Sequence, residues 1–348
     1  QIAATEPRGP TYVCLDVALQ ESKLEGPVTF PDPARHQPGR PPAPSAEAVE
    51  EAARLLVNAK KPMILMGRVS RSQADWDARV ELAEALGALV LTDMKTGASF
   101  PTEHPLHAFE PRFRPSPATT AATKEADVIL SLDWMDLKGH FAQTLGKGVA
   151  VESKVIHCSL DEYLHNGWNM DYFGLPACDL KILASPNELI RPLIEAVRRL
   201  RGTKEKPAAK WPARNAPALP KPRAEGMMGL KDLALVMRDF TEKRDVTMAG
   251  FSLGWPSDTV NFKGPLDYVG FDGGGGCQCV GGRSDRFQHW PGPRLARHRA
   301  GSAVNCHGWL AHLQEGLDRS QERHPNDWPQ RFRWSPYSRG RCITEPIW

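Results

Sequence analysis

Between Ser45 and Met66 a helix pattern runs into a short, unbroken apolar run, and that succession limits the fold more than any other feature of the chain. Ser45 can cap a helix whose first turn carries Glu47, and Ala48, Val49, Ala52, Leu55 and Leu56 recur at the three-and-four spacing of one buried face. Pro62 is expected to stop it. Met63-Ile64-Leu65-Met66 shows no polar alternation, the signature of a strand buried on both faces of a parallel sheet. Gly67 frees the backbone for a turn. A second helix from Ala74 to Leu86 and a second apolar run from Ala88 to Leu91 follow, so the chain builds crossover units.

The same alternation continues. The pattern predicts a helix over Ala118 to Lys124, strands over Ala126 to Leu132 and Lys154 to Leu160, a short last strand over Ala177 to Leu180, and a helix from Asn187 to Leu200. In that helix Leu189, Ile190, Leu193, Ile194 and Val197 face inward. Residues 45–200 are therefore expected to form a doubly wound α/β middle domain with a parallel, Rossmann-like sheet.

The flanks differ. Residues 1–25 hold Tyr12 to Val17, which reads as a sheet strand with no partner nearby, as if the chain began inside a domain. Residues 26–44 are rich in proline and form an extended linker. Residues 201–226 mix Lys, Arg, Ala and Pro without periodicity and form a second linker. In 227–276, helical spacing resumes from Met227 to Phe240. The strand Asp245 to Gly250 then leads into Phe251-Ser252-Leu253-Gly254-Trp255-Pro256, and a glycine run, Gly273, Gly274, Gly275 and Gly276, follows.

After Gly276 the character changes. Residues 277–348 contain no lysine, are rich in Arg, His and Trp, and hold four of the seven cysteines. Apolar residues there rarely recur at period two or 3.6 for more than a turn. This irregular tail reads as the product of a reading-frame shift near Gly276; a basic tail of ordinary origin is the alternative.

Composition removes several classes of function. A net charge of +3 requires no polyanionic partner. The arginines of the tail lack a helix or aromatic platform to organise them on nucleic acid. No apolar run is long enough to cross a bilayer, and the first residues lack the basic start and apolar core of a signal peptide, so a cytoplasmic location is expected. The cysteines form no CxxC pair and no disulfide framework and are read as free thiols.

Four constellations are candidates for chemistry. Glu103, His104, His107 and Glu110 could be drawn as a metal site, but a proline-rich surface loop explains them. Cys277, Cys279, Cys306 and His307 lack the spacing of a zinc knuckle or ribbon, so no metal ligands are assigned. Gly67 to Ser72 follows a strand and precedes a helix, where amides and arginines could hold a phosphate, although a plain turn is favoured and neither GxGxxG nor a Walker lysine is present. Asp133, Trp134, Asp136 and Lys138 lie just past a strand end, where they could line a ligand crevice, although solvated loop residues are favoured.

Several stretches together resemble the thiamine-diphosphate enzymes of the acetolactate synthase, benzoylformate decarboxylase and pyruvate decarboxylase superfamily. Gly9-Pro-Thr-Tyr-Val-Cys-Leu-Asp16 is similar to the strand that ends that family's pyrimidine-binding domain. Lys61-Pro-Met-Ile-Leu-Met-Gly67 looks like the first strand of its middle domain, and Phe100-Pro-Thr-Glu-His-Pro105 like a loop of that domain. Lys154 to Glu162 stands where the family reads a strand ending in Asp. The resemblance covers residues 9–276. It implies thiamine diphosphate and Mg²⁺ as cofactors, a small 2-oxo acid as substrate, decarboxylation or carboligation as the parental reaction, and a homodimer or homotetramer. Some members bind FAD in the middle domain, but the scarcity of glycine after Met66 disfavours flavin.

By the same resemblance Ser252, Leu253, Gly254, Gly273, Gly274, Gly275 and Gly276 would bind cofactor, because glycines let backbone amides approach an anion. No residue matches the family's cofactor-activating glutamate, and the chain contains no Gly-Asp-Gly or Gly-Asp-Ser closing with Asn-Asn to hold the metal. No catalytic residue is therefore assigned, and the chain reads as a fragment whose own enzymatic status is open. The competing expectations are a stand-alone dinucleotide- or FAD-binding module and a non-catalytic oligomerisation module.

Overall fold

The computed structural model describes residues 1–8, 11, 13–24, 26–160, 162, 175–202, 211, 229–251 and 254–270, with backbone also at 279–282 and 304–305. The chain divides into two compact units, Gln1–Ala303 and Val304–Trp348. Of the second unit only the two-residue strand Val304–Asn305 is described; every other described element belongs to the first.

The expected N-terminal strand does not form. Asp16 Oδ1 accepts from the Ala18 amide at 2.8 Å and starts a five-residue helix, α1 (Val17–Glu21). Val13, Leu15, Val17 and Leu19 stay more than 60% exposed. Their period-two pattern has no described strand beside it, so no ladder competes with the local cap.

The middle domain matches the alternation read from the sequence. Ser45 Oγ accepts from Ala48 N at 3.2 Å and opens α2 (Ala46–Asn58). That helix ends before Pro62, which instead starts β1 (Pro62–Met66). The intervening turn is pinned by Asp127, whose carboxylate accepts from Lys60 N at 2.6 Å and Lys61 N at 2.9 Å. There follow α3 (Gln73–Leu86), β2 (Leu89–Thr92), α4 (Pro117–Glu125), β3 (Val128–Leu132), α5 (Leu137–Thr144), β4 (Lys154–Cys158), β5 (Leu180–Ile182) and α6 (Pro186–Arg201). The last strand lies two residues beyond its expected span. Helix α5, absent from the sequence reading, replaces the loop expected around Lys138.

All four pairings in this sheet are parallel, in the order β2-β1-β3-β4-β5. Alternate residues of each strand serve opposite layers. Ile64, Met66, Leu130, Leu132 and Ile156 pack with α2, α3 and α6. Met63, Leu65, Ile129 and Val155 pack with residues of α4 and α5 such as Ala122, Leu137 and Phe141. That double coverage is why the strands carry no polar alternation. On α6, Leu189, Ile190, Leu193, Ile194 and Val197 are at most 3% exposed, each contributing about 1.5–3 kcal/mol by burial. None of the described helices is long and apolar enough to cross a membrane.

Past residue 202 the described chain resumes with α7 (Leu230–Glu242) and β6 (Val246–Met248). β6 pairs antiparallel with β7 (Cys279–Gly282), and Met248 forms a parallel bridge with Tyr268.

Candidate functional site

Open parallel sheets place ligands beyond the carboxyl ends of their strands, at the point where the strand order reverses. In this domain that point lies between β1 and β3, and the residues leaving those strands meet directly. Gly67 N donates to Leu132 O and Arg68 N to Asp133 O, both at 3.0 Å. A Cβ at position 67 would overlap the Asp133 carbonyl, so only glycine permits this approach. The Arg68 guanidinium forks onto Asp133, Nε to Oδ2 at 2.9 Å and Nη2 to Oδ1 at 2.8 Å. Ser159 Oγ, at the end of β4, adds a 2.6 Å hydrogen bond to Asp133 Oδ1.

Asp133 and Asp136 both adopt left-handed backbone, φ 54° and 57°, a region where aspartate is among the few tolerated side chains. Asp136 Oδ1 accepts from Gly139 N at 3.0 Å and caps α5. Asp133 is half-buried, Trp134 and Asp136 are buried, and only Lys138 is exposed. The expectation of solvated loop residues is corrected for the first three: the aspartates are consumed in shaping the β3–α5 turn, and Trp134 fills the layer beneath it.

Beside this turn, between the ends of β2 and β3, a cleft is lined by Asp93, Lys95, Arg112, Trp134, Asp136 and His140 among others. His140 is 6% exposed, and burial lowers its pKa to about 4, so its imidazole is neutral at pH 7. Burial pushes the Asp93 carboxyl above its ordinary range even though Lys95 N and Thr96 N donate to its Oδ1 at 3.0 and 2.9 Å. Glu110 pairs with Arg112. The cleft offers the neutral His140 imidazole and the ion pair of Glu110 with Arg112.

The four residues of the candidate metal site point in different directions. His107 is fully buried, with Nδ1–H donating to Thr102 O at 3.1 Å and Nε2 accepting from the Thr92 hydroxyl at 2.8 Å. His104 Nδ1 accepts from Leu106 N at 3.2 Å while Nε2 faces Glu84 at 3.2 Å. Glu103 pairs with Arg238, and Glu110 with Arg112. No group of three potential ligands gathers among the described residues. Cys306 and His307 lie outside them, with the side chains of Cys277 and Cys279.

Of the proposed cofactor-binding residues, Gly254 is described. It is exposed, has φ 87°, and has open space where a Cβ would stand. Ser252, Leu253, Gly273, Gly274, Gly275 and Gly276 lie outside the described residues. What is described is the pair of segments adjoining them in sequence. Met248 N donates to Asp267 O at 2.8 Å and Val269 N to Met248 O at 3.0 Å, so the two parallel segments leave at the same end. Phe251 packs against Tyr268, ring centroids 5.0 Å apart, and Tyr268 stacks on Phe262 at 5.2 Å. The glycine run lies outside the described residues, and no group of three potential metal ligands gathers among those that are described.

This segment rests on the loop after β2, a contact that sequence reasoning missed. Ala98 N donates to Tyr268 O and Thr102 N to Phe262 O, both at 3.0 Å. Tyr268 Oη donates to Met94 O at 2.7 Å. The signal available was Phe100 to Pro105, whose rigidity and aromatic start mark a docking loop.

Comparison with known proteins supplies the context. Residues 49–162 match the family model for the thiamine pyrophosphate enzyme central domain. An acetolactate synthase of Mycobacterium avium is 32% identical over 151 residues, 42% of this chain and 24% of that protein. A sulfoacetaldehyde acetyltransferase of Rhodobacter capsulatus is 41% identical over 92 residues, 26% of this chain and 15% of that protein. The crystal structure of benzoylformate decarboxylase from Polynucleobacter necessarius superposes with a TM-score of 0.57 at 16% identity, over 78% of this chain and 48% of that one. The chain thus spans about a quarter of the acetolactate synthase it matches.

Proposed function

We propose, from the match of residues 49–162 to the thiamine pyrophosphate enzyme central domain, that the chain is part of a thiamine-diphosphate enzyme acting on a small 2-oxo acid by decarboxylation or carboligation. The observation that carries this reading is the family match over residues 49–162, within the doubly wound domain. When bound, thiamine diphosphate supplies an electron sink for carbanion chemistry. This chain's contribution is positional: β6 and its parallel neighbour at Tyr268 lead to Gly254 and Gly270 beside the rings of Phe251, Phe262 and Tyr268. Mg²⁺ belongs to the proposal as the cofactor's partner, as does a homodimeric or homotetrameric parent.

Catalysis by this polypeptide alone is not part of the proposal, because the sequence provides neither the activating glutamate nor the metal motif. The tail after Gly276 is proposed to arise from a frame shift; re-reading the coding DNA must then recover a helix-and-strand pattern in another frame. Thermal melting of the full chain with thiamine diphosphate and Mg²⁺ tests cofactor binding. The cofactor should raise the Tm, and Gly254→Val should reduce that rise. An unchanged Tm at saturating cofactor overturns the cofactor reading.

A further inference from the structure

The turn between β1 and α3, residues 67–72, occupies the position at which doubly wound domains usually receive the phosphates of a nucleotide. Four of its backbone amides have acceptors within the chain. Gly67 N and Arg68 N bond to the backbone after β3, and the Arg68 guanidinium is held by Asp133. Ser70 N donates to Asn187 Oδ1 on α6 at 2.8 Å, and Ser72 N to Ser70 Oγ at 3.1 Å. The first turn of α3 carries Asp75, whose carboxylate takes the Ser72 hydroxyl at 2.8 Å. An acid there already complements the helix dipole and would repel an incoming phosphate.

Arg71 reaches furthest. Its Nη2 donates to Tyr268 O at 2.9 Å, 197 residues along the chain. It passes directly over Gly97, where a Cβ would overlap Nη2 and stand 2.9 Å from that same carbonyl. Gly270, at φ 97°, closes on the other side, with Lys95 O only 2.8 Å from where its Cβ would be. Gly97 thus makes room for the guanidinium, and Gly270 lets the segment after β6 close on the backbone of residues 95–97.

We infer that residues 67–72 are a junction rather than a nucleotide-binding turn: they bolt β3 through Arg68 and Asp133, α6 through Ser70 and Asn187, and the 229–270 segment through Arg71 and Tyr268. FAD and other nucleotides are disfavoured there, because the amides of Gly67, Arg68, Ser70 and Ser72 and the guanidinium groups of Arg68 and Arg71 already donate to internal acceptors. The inference does not depend on thiamine diphosphate, and loss of that cofactor's effect on melting would leave it untouched.

Two measurements on the full chain test it. Titration calorimetry with FAD and with ADP should give no binding up to about 1 mM, a limit near −4 kcal/mol. Binding of either by the wild-type chain with Kd below about 1 mM overturns the inference. In limited proteolysis, Arg71→Met should raise cleavage within 229–270 roughly tenfold, the scale expected if about 1.4 kcal/mol of docking is lost, while 45–200 stays resistant. Unchanged cleavage in that segment overturns the junction. The nucleotide titration needs only the wild-type chain and stands even if a variant fails to fold.

Discussion

The middle domain and the segment around β6 start from the same local plan, a 13-residue helix followed by a short strand, yet they end in different environments. β1 is buried along its whole length between β2 and β3, with helices on both faces. β6 has three residues, two of them half-buried. Val49 and Leu56 on α2 are 7% and 0% exposed, whereas Val236 and Phe240 on α7 are 53% and 39% exposed. Helix and strand formation is thus encoded locally, but burial depends on neighbours. The β6 segment has few of its own and leans on a loop of the middle domain through Tyr268, Phe262 and Thr102. Damage to the middle domain should therefore spread to the segment, and damage to the segment should stay local.

The largest expected effect is Leu130→Ala. Leu130 is fully buried in β3, the centre of the five-stranded sheet, and truncation there should cost about 2–5 kcal/mol. Urea denaturation should show the middle domain and the aromatic contacts at Tyr268 lost in one transition. Two separate transitions, with the second unmoved, would break the one-way dependence of the segment on the domain.

Acid should act on the same domain. His140 has a folded pKa lowered from 6.5 to about 4 by burial. The unfolded chain therefore takes up the proton first as pH falls. The neutral imidazole's contribution is complete above pH 6.5, erodes between 6.5 and 4, and amounts to about 3 kcal/mol once lost. Asp93 is shifted in the opposite sense for stability, its raised pKa favouring the fold at low pH. The informative quantity is therefore the difference between wild type and His140→Gln across that window, and equal slopes for the two proteins would contradict the assignment.

Tyr268→Phe probes the contact between the regions. It removes the 2.7 Å hydrogen bond to Met94 O and leaves a buried carbonyl without its donor, a loss of about 1–2 kcal/mol. Hydrogen exchange should quicken in 229–270 and hold steady in β1, β3 and β4. Faster exchange throughout the sheet would show the two regions to be one cooperative block.

How much of the fold and of the site is legible in the sequence depends on the range of each interaction. Ser45 as a cap, the apolar runs at 63–66 and 128–132 and the amphipathic α6 depend on residues a few positions apart or on uniform burial, and both leave a pattern in sequence. Helix α5 does not stand out because it is eight residues long and contains Gly139. Its signal is Asp136, whose carboxylate lies where a Cβ at 139 would be, so the cap itself demands that glycine. Arg71 meeting Tyr268 leaves no trace, since nothing in either neighbourhood encodes a partner 197 residues away. For the same reason the turn at 67–72 reads as a mild phosphate candidate, when the amides of Gly67, Arg68 and Ser70 donate to partners that only the fold brings near.

The smallest effect gives the sharpest comparison. Val49→Ser and Val236→Ser make the same chemical change on two helices of equal length. In α2 the valine packs against α6 and the sheet, and its replacement loses most of a side chain's burial, about 1–2 kcal/mol. In α7 the valine is half in water already, so the change should fall within about 0.5 kcal/mol of zero. Chemical denaturation of the two variants side by side measures the gap directly. A loss at Val236 as large as at Val49 would mean that α7 is covered in solution by something the described residues do not include, and the second region would then have a core of its own.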